Sequence, residues 1–185
     1  MFIETELTPN PETLKFLPGK TLLDQGSVDF PEPESAEKSP LARGLFGITG
    51  VRGVFIGYDF VTVTKDPDLD WQDLKSDILA ALMQFFMTGA PVVEEGAIVD
   101  TIEEATGEDA EIVNQIRELL DQKIRPAVAQ DGGDIVYHGF KEGIVYLRMQ
   151  GSCAGCPSAS MTLKSGIENL LKYYVPEVVE VRQVS

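Results

Sequence analysis

Cysteine is nearly absent from this chain. Its 185 residues include two cysteines, one histidine and one tryptophan. Two cysteines make no disulfide framework, and a chain that is 43% hydrophobic needs no covalent staples for its core. Positive charge is scarce too: 15 Lys and Arg stand against 30 Asp and Glu, for a net charge of -15. Phosphate binding needs clustered bases, so no nucleic-acid partner and no anionic membrane surface is expected. Long apolar runs are missing as well; the most apolar stretch, residues 78–93, is too short and too interrupted for a comfortable bilayer span. The opening residues Met1-Phe2-Ile3-Glu4-Thr5-Glu6 show neither the basic and apolar regions of a secretory leader nor an Arg-rich transit pattern. The expected compartment is therefore a reducing cytoplasm, where thiols stay available to metal.

The charge that is present is unevenly spread. Residues 1–90 hold 14 acids and 7 bases, residues 91–110 hold 7 acids and no base, and residues 111–185 hold 9 acids and 8 bases. This pattern predicts two small domains, 1–90 and 110–185, joined by an acidic linker over 91–109 whose self-repulsion keeps it extended. Residues 98–105 are a candidate helix within that linker.

In the first domain, loose alternation predicts a strand over 2–7. Asn10 as a cap and Pro11 at the first helical position predict a short helix reaching about Leu17. A strand region is expected over 21–30, an exposed Pro- and Glu-rich loop over 31–39, and a short helix over 41–48. The runs 54–56 and 60–63 flank Gly57-Tyr58-Asp59 as a hairpin. Trp71, Leu74, Ile78, Leu82 and Phe85 recur at helical spacing, predicting a helix over 71–87 stopped by Gly89 and Pro91. The fold class expected for the whole chain is α/β (α+β).

The second domain reads α-β-β-α-β. Asp109 caps a helix carrying Ile112, Ile116, Leu119, Leu120 and Ile124, which Pro126 kinks or ends. Gln130-Asp131-Gly132-Gly133-Asp134 is a turn, strands are expected over 135–140 and 144–149, a helix over 158–173, and a last strand over 178–184. This order implies a three-stranded mixed sheet with helices on one face.

Both cysteines lie in Gly151-Ser152-Cys153-Ala154-Gly155-Cys156-Pro157, between a strand and a helix. At C-x-x-C spacing Cys153 and Cys156 can face one point. The glycines let backbone N–H groups turn towards that point, and the helix N-terminus favours thiolate over thiol. A four-thiolate centre needs twice what one chain supplies, so the simplest closure is a homodimer with Cys153 and Cys156 from each chain. That stoichiometry suits zinc as well as iron–sulfur. A redox dithiol and a pair of merely structural cysteines remain alternatives. Against the dithiol, Pro157 follows the pair, whereas thioredoxin-like sites place proline between the cysteines. His138 reads as a sheet residue, and Asp131 with Asp134 as turn and capping residues.

In this order Ile124-Arg125-Pro126, Gln130-Asp131-Gly132-Gly133-Asp134, a hairpin and Gly151 to Ser158 resemble the NifU C-terminal (Nfu) domain. Thr8-Pro9-Asn10-Pro11, Leu14-Lys15-Phe16, Pro40-Leu41-Ala42 and the hairpin beginning at Gly50 are similar to the N-terminal domain of Nfu-type proteins. The resemblance implies a non-enzymatic scaffold or carrier that holds a [4Fe–4S] cluster between two subunits through Cys153 and Cys156. It implies transfer to apo iron–sulfur proteins, supply from an upstream assembly scaffold, and a ligand-free first domain that helps recognise targets. The alternative function is a thiol–disulfide oxidoreductase using the same pair; a zinc clasp between chains is a third. Without a transit pattern, a bacterial cytoplasmic form is expected, with a mature form in the mitochondrial matrix as the alternative.

Overall fold

The computed structural model of the chain describes residues 2–96, 109–154 and 157–184. The protein is mixed α and β and divides into two compact units, Met1–Asp100 and Thr101–Ser185.

The first unit is built on an antiparallel sheet in the order β1-β2-β5-β4-β3, with β1 Glu4–Leu7, β2 Thr13–Leu17, β3 Val28–Phe30, β4 Val51–Ile56 and β5 Val61–Lys65. Leu14 and Phe16 on β2, Val54 and Ile56 on β4, and Val61 and Val63 on β5 alternate into one apolar core. Helix α1 (Pro40–Phe46) adds Leu41 and Leu45 to it, and α2 (Trp71–Thr88) adds Leu74, Ile78, Leu82 and Phe86. Ser39 caps α1, accepting from the Ala42 N–H at 3.0 Å. Gly89 closes α2 in the left-handed conformation at φ 68°.

Three local expectations change here. The helix predicted over 10–17 is instead the turn and second strand of a hairpin. Asn10 Oδ1 accepts from the Glu12 N–H (3.1 Å) and Asn10 O from the Thr13 N–H (3.0 Å), so the side chain read as a helix cap makes a turn. Within 21–30 only Val28–Phe30 pairs, while the Leu22 N–H donates to Tyr58 O at 2.7 Å. The loop over 31–39 contains a 3-10 helix, Pro33–Lys38, which buries Ala36 completely. Part of the 91–109 segment lies on this unit: Ser39 Oγ donates to Val92 O (2.7 Å), and the Glu94 N–H donates to Lys38 O (2.8 Å). Residues 97–108, including the candidate helix over 98–105, lie outside the described residues.

The second unit follows the expected α-β-β-α-β order. Helix α3 (Ala110–Leu119) runs through a π turn, Leu120–Ile124, into α4 (Arg125–Gln130). The run therefore continues past Pro126. The Arg125 N–H reaches back to Leu120 O, and this wider register absorbs the donor that proline lacks. Asp109 precedes α3 without a side-chain cap; its carbonyl accepts from the Val113 N–H at 2.9 Å. Strands β6 (Gly133–Lys141), β7 (Ile144–Gly151) and β8 (Glu180–Val184) form a mixed sheet in the order β6-β7-β8, antiparallel then parallel. Between β7 and β8 lies α5, Pro157–Tyr174. Ile135, Val145, Leu147, Met149 and Val181 point to one buried face, where Ile116, Leu120, Val128, Ile167 and Leu171 of the helices meet them. The β6–β7 turn has Glu142 at φ 53° and Gly143 at φ 79°, the two positive values of a type I′ hairpin.

Candidate metal centre

The cysteine loop is built from two chain segments about twenty residues apart. The first begins where the π turn delivers Arg125. Its guanidinium grips Asp134 with both arms, Nε to Oδ1 at 2.9 Å and NH2 to Oδ2 at 2.8 Å, and its NH1 reaches Asp121 Oδ1 at 3.1 Å. Asp134 Oδ1 also accepts from the Ile135 N–H at 2.8 Å. The Asp134 side chain is 8% exposed and that of Arg125 33%. Hydrogen bonding to Asp134, the largest cause, raises the already high Arg125 pKa, so the guanidinium stays charged at every accessible pH. The pair ties the start of α4 to the start of β6 and so brackets the Asp131-Gly132-Gly133 turn between them, with Gly132 at φ 80°.

The second segment leaves β7 at Gly151, whose φ of 64° turns the chain sharply, and the Ala154 N–H donates to Gly151 O at 3.1 Å. Ser152, 2% exposed, joins this loop to the first segment twice. Its N–H donates to Gly132 O at 3.3 Å and its Oγ donates to Asp131 O. Cys153 then lies inside: it is 6% exposed and belongs to the same apolar cluster as Val128, Ile135 and Met149. Its Sγ packs where Gly133 has no side chain. A β-carbon at Gly133 would meet Sγ at 2.5 Å, Gln150 O at 2.8 Å and the Cys153 nitrogen at 3.0 Å. Cys156 lies outside the described residues; α5 begins at Pro157, the next residue.

The remaining candidates separate from the loop. His138 is exposed on β6 at an irregularity in the β6–β7 register between Tyr137 and Gly139. Asp131 offers its backbone carbonyl to Ser152, and Asp134 is committed to Arg125 and the Ile135 amide. Among the described residues no group of three or more His, Cys, Asp or Glu converges as a metal site. Among the same residues, the buried Gln150 Oε1 has no hydrogen-bond partner. Sequence reasoning missed Ser152 and Gly133. It read Asp134 as a capping residue, although an Arg and an Asp framing Pro126 and a glycine pair hinted at an ion pair across a turn.

Comparison with known proteins follows the same division of the chain. The profile "Scaffold protein Nfu/NifU N terminal" matches residues 3–89 and "NifU-like domain" matches residues 116–182. A human protein named "NFU1 iron-sulfur cluster scaffold homolog, mitochondrial" is 54% identical over 185 residues, covering 100% of this chain and 72% of its own length. The chain belongs to the Nfu/NifU scaffold-protein family. Another relative in it, "NifU-like protein 4, mitochondrial" of Arabidopsis thaliana, is 53% identical, with 99% of this chain and 66% of its own covered. The solved NMR structure of a NifU-like protein from Saccharomyces cerevisiae is 29% identical, covers 51% of this chain and 86% of its own, and has a TM-score of 0.47. The chain spans between 62% and 72% of the length of the curated Nfu relatives it matches.

These relatives correct the compartment. A bacterial cytoplasmic form was expected because no leader pattern opens the sequence, but Nfu relatives matched along the whole chain are named mitochondrial. Organellar leaders are cleaved, so the first residues of a chain are a poor guide to where it works. Among the described residues, no helix is long and apolar enough to cross a membrane.

Proposed function

We propose that this Nfu-family chain is a non-enzymatic carrier whose cargo is a [4Fe–4S] cluster, held between two copies by Cys153 and Cys156 of each. The observation that carries the reading is the loop itself. A two-cysteine segment stands between β7 and the start of α5, anchored through Ser152 to the Asp131-Gly132 turn. A cubane cluster takes four thiolates and one chain offers two, so two loops complete the set. Four thiolates around a 2+ core give a formal charge of about -2, which the nearly neutral second half of the chain, 9 acids to 8 bases over 111–185, tolerates better than the acidic first half would.

Cys153 and Cys156 would hand the cargo on by ligand exchange. An acceptor thiolate forms an iron–sulfur bond, a bond from Cys153 or Cys156 breaks, and the released thiolate takes a proton from solvent. No electron moves. Supply by an upstream assembly scaffold and delivery to apo iron–sulfur proteins follow from such a role, with the first unit helping to select the acceptor. The test is anaerobic reconstitution of the full chain and of Cys153→Ser and Cys156→Ser variants. The visible absorbance of a cluster is expected only with both cysteines. A cluster that survives Cys153→Ser contradicts the assignment. Turnover of a disulfide substrate by the metal-free chain favours a dithiol oxidoreductase instead.

A further inference from the structure

A cysteine that must meet a second chain is here stowed inside its own. Cys153 is 6% exposed and sits among core residues, with its sulfur in the space left by the missing side chain of Gly133. What keeps it there is also visible. Ser152, next in the chain, is bonded through both backbone N–H and hydroxyl to the carbonyls of Gly132 and Asp131. Those carbonyls stand two and three residues before Asp134, which the bidentate pair ties to Arg125 at the start of α4.

We propose that Ser152 is a positioning residue that latches Cys153 inward, so that the fold competes with the cargo for the thiol. The inference rests on Cys153 being a cargo ligand, as proposed above. With the latch closed the sulfur fills the Gly133 slot; with it open, the Gly151–Ala154 turn swings away and the sulfur reaches outward. A cargo that binds only the open form has its affinity reduced by the fraction of chains that are open. Delivery then has a built-in direction. Cys153 of each chain, on releasing iron, has its packed site beside Gly133 to return to, and the recovered Ser152 latch disfavours recapture.

Ser152→Ala removes the hydroxyl bond without adding volume. Loss of one hydrogen bond shifts such an equilibrium roughly fivefold. Two chains share each cluster, so the effect on cluster affinity is roughly the square, about 25-fold. Two measurements on the full chain separate this from the function it rests on. The first is the rate of iodoacetamide alkylation of Cys153 in the metal-free chain, at one fixed pH, with Cys156→Ser present to leave a single thiol. Ser152→Ala is expected to raise the rate roughly fivefold. The increase should be insensitive to low urea, which marks local opening rather than global unfolding. The second is loss of iron to EDTA from the reconstituted two-cysteine chain, which should be slower in Ser152→Ala than in the parent. Equal alkylation rates, an increase that climbs steeply with urea, or faster iron loss in Ser152→Ala would each overturn the latch. If the parent chain never takes up iron, the carrier function fails while the alkylation arm still decides the latch.

Discussion

At the scale of single residues, the strongest electrostatic commitment of the second unit is the pair between Arg125 and Asp134. Removing the carboxylate leaves a partly buried guanidinium whose remaining ion pair, among the described residues, is Asp121. Because Arg125 keeps some contact with water, Asp134→Ala should destabilise the unit by roughly 2–3 kcal/mol, towards the lower end for a broken buried pair. Urea unfolding followed by far-UV circular dichroism measures this; a change under 0.5 kcal/mol is inconsistent with a pinning role. Gly133→Ala tests the slot beside it. The new methyl would face sulfur and two backbone atoms at 2.5–3.0 Å, so it should expel Cys153 and speed its alkylation even with Ser152 intact. The C-x-x-C spacing of Cys153 and Cys156, on which the proposed site rests, stands in the sequence itself because it is local. Ser152, Gly133 and the role of Asp134 were not legible there, because each acts on a partner brought in by folding: Ser152 on a carbonyl 21 residues away, Asp134 on a guanidinium nine away.

At the scale of elements, sequence signals succeeded where period and neighbours agreed. The stripe Leu74, Ile78, Leu82 marks α2, and the alternation of Val145, Leu147 and Met149 marks β7. They misled where one residue serves two structures. Asn10 before Pro11 satisfies both a helix cap and a turn, and the alternation of Leu14 and Phe16 into the core decided for the strand. Pro126, read as kinking or ending the helix, does not end it: a π turn just upstream carries the run through it. Leu82 is fully buried, so Leu82→Ala should cost the first unit about 2–5 kcal/mol, read as an earlier urea midpoint in its unfolding. Helix α5 and strand β8 are joined by Glu168, whose carboxylate accepts from Lys172 Nζ (2.8 Å) and from the Val181 N–H (3.2 Å). The Lys172 bond first, then the amide, holds its pKa below the ordinary glutamate value. A depressed carboxylate contributes its stability above the unfolded-state pKa and loses it as pH falls through the folded one. The wild-type advantage over Glu168→Gln should therefore be present at neutral pH and shrink on acidification through and below the ordinary glutamate range. Thermal unfolding midpoints across that range test this; an advantage independent of pH contradicts it.

At the scale of the whole molecule, the mixed α/β class and the three-stranded mixed sheet of the second unit were readable from the order of elements, since a strand–helix–strand return makes β8 parallel to β7. The compartment was not readable, because the packing and charge of a folded domain do not encode where it is delivered. Charge separates the two halves: the first 90 residues carry twice as many acids as bases, while residues 111–185 are close to balance. The proposed unit of function is larger than one chain, since two thiols are half of a cubane's ligands. The decisive measurement is native mass spectrometry of the anaerobically reconstituted chain, with iron and sulfide assayed on the same sample. Two chains carrying about four irons and four sulfides are expected, falling apart to metal-free chains with Cys153→Ser. A single chain holding a complete cluster, or a two-chain species whose only metal is zinc after anaerobic loading with iron and sulfide, would contradict the shared centre.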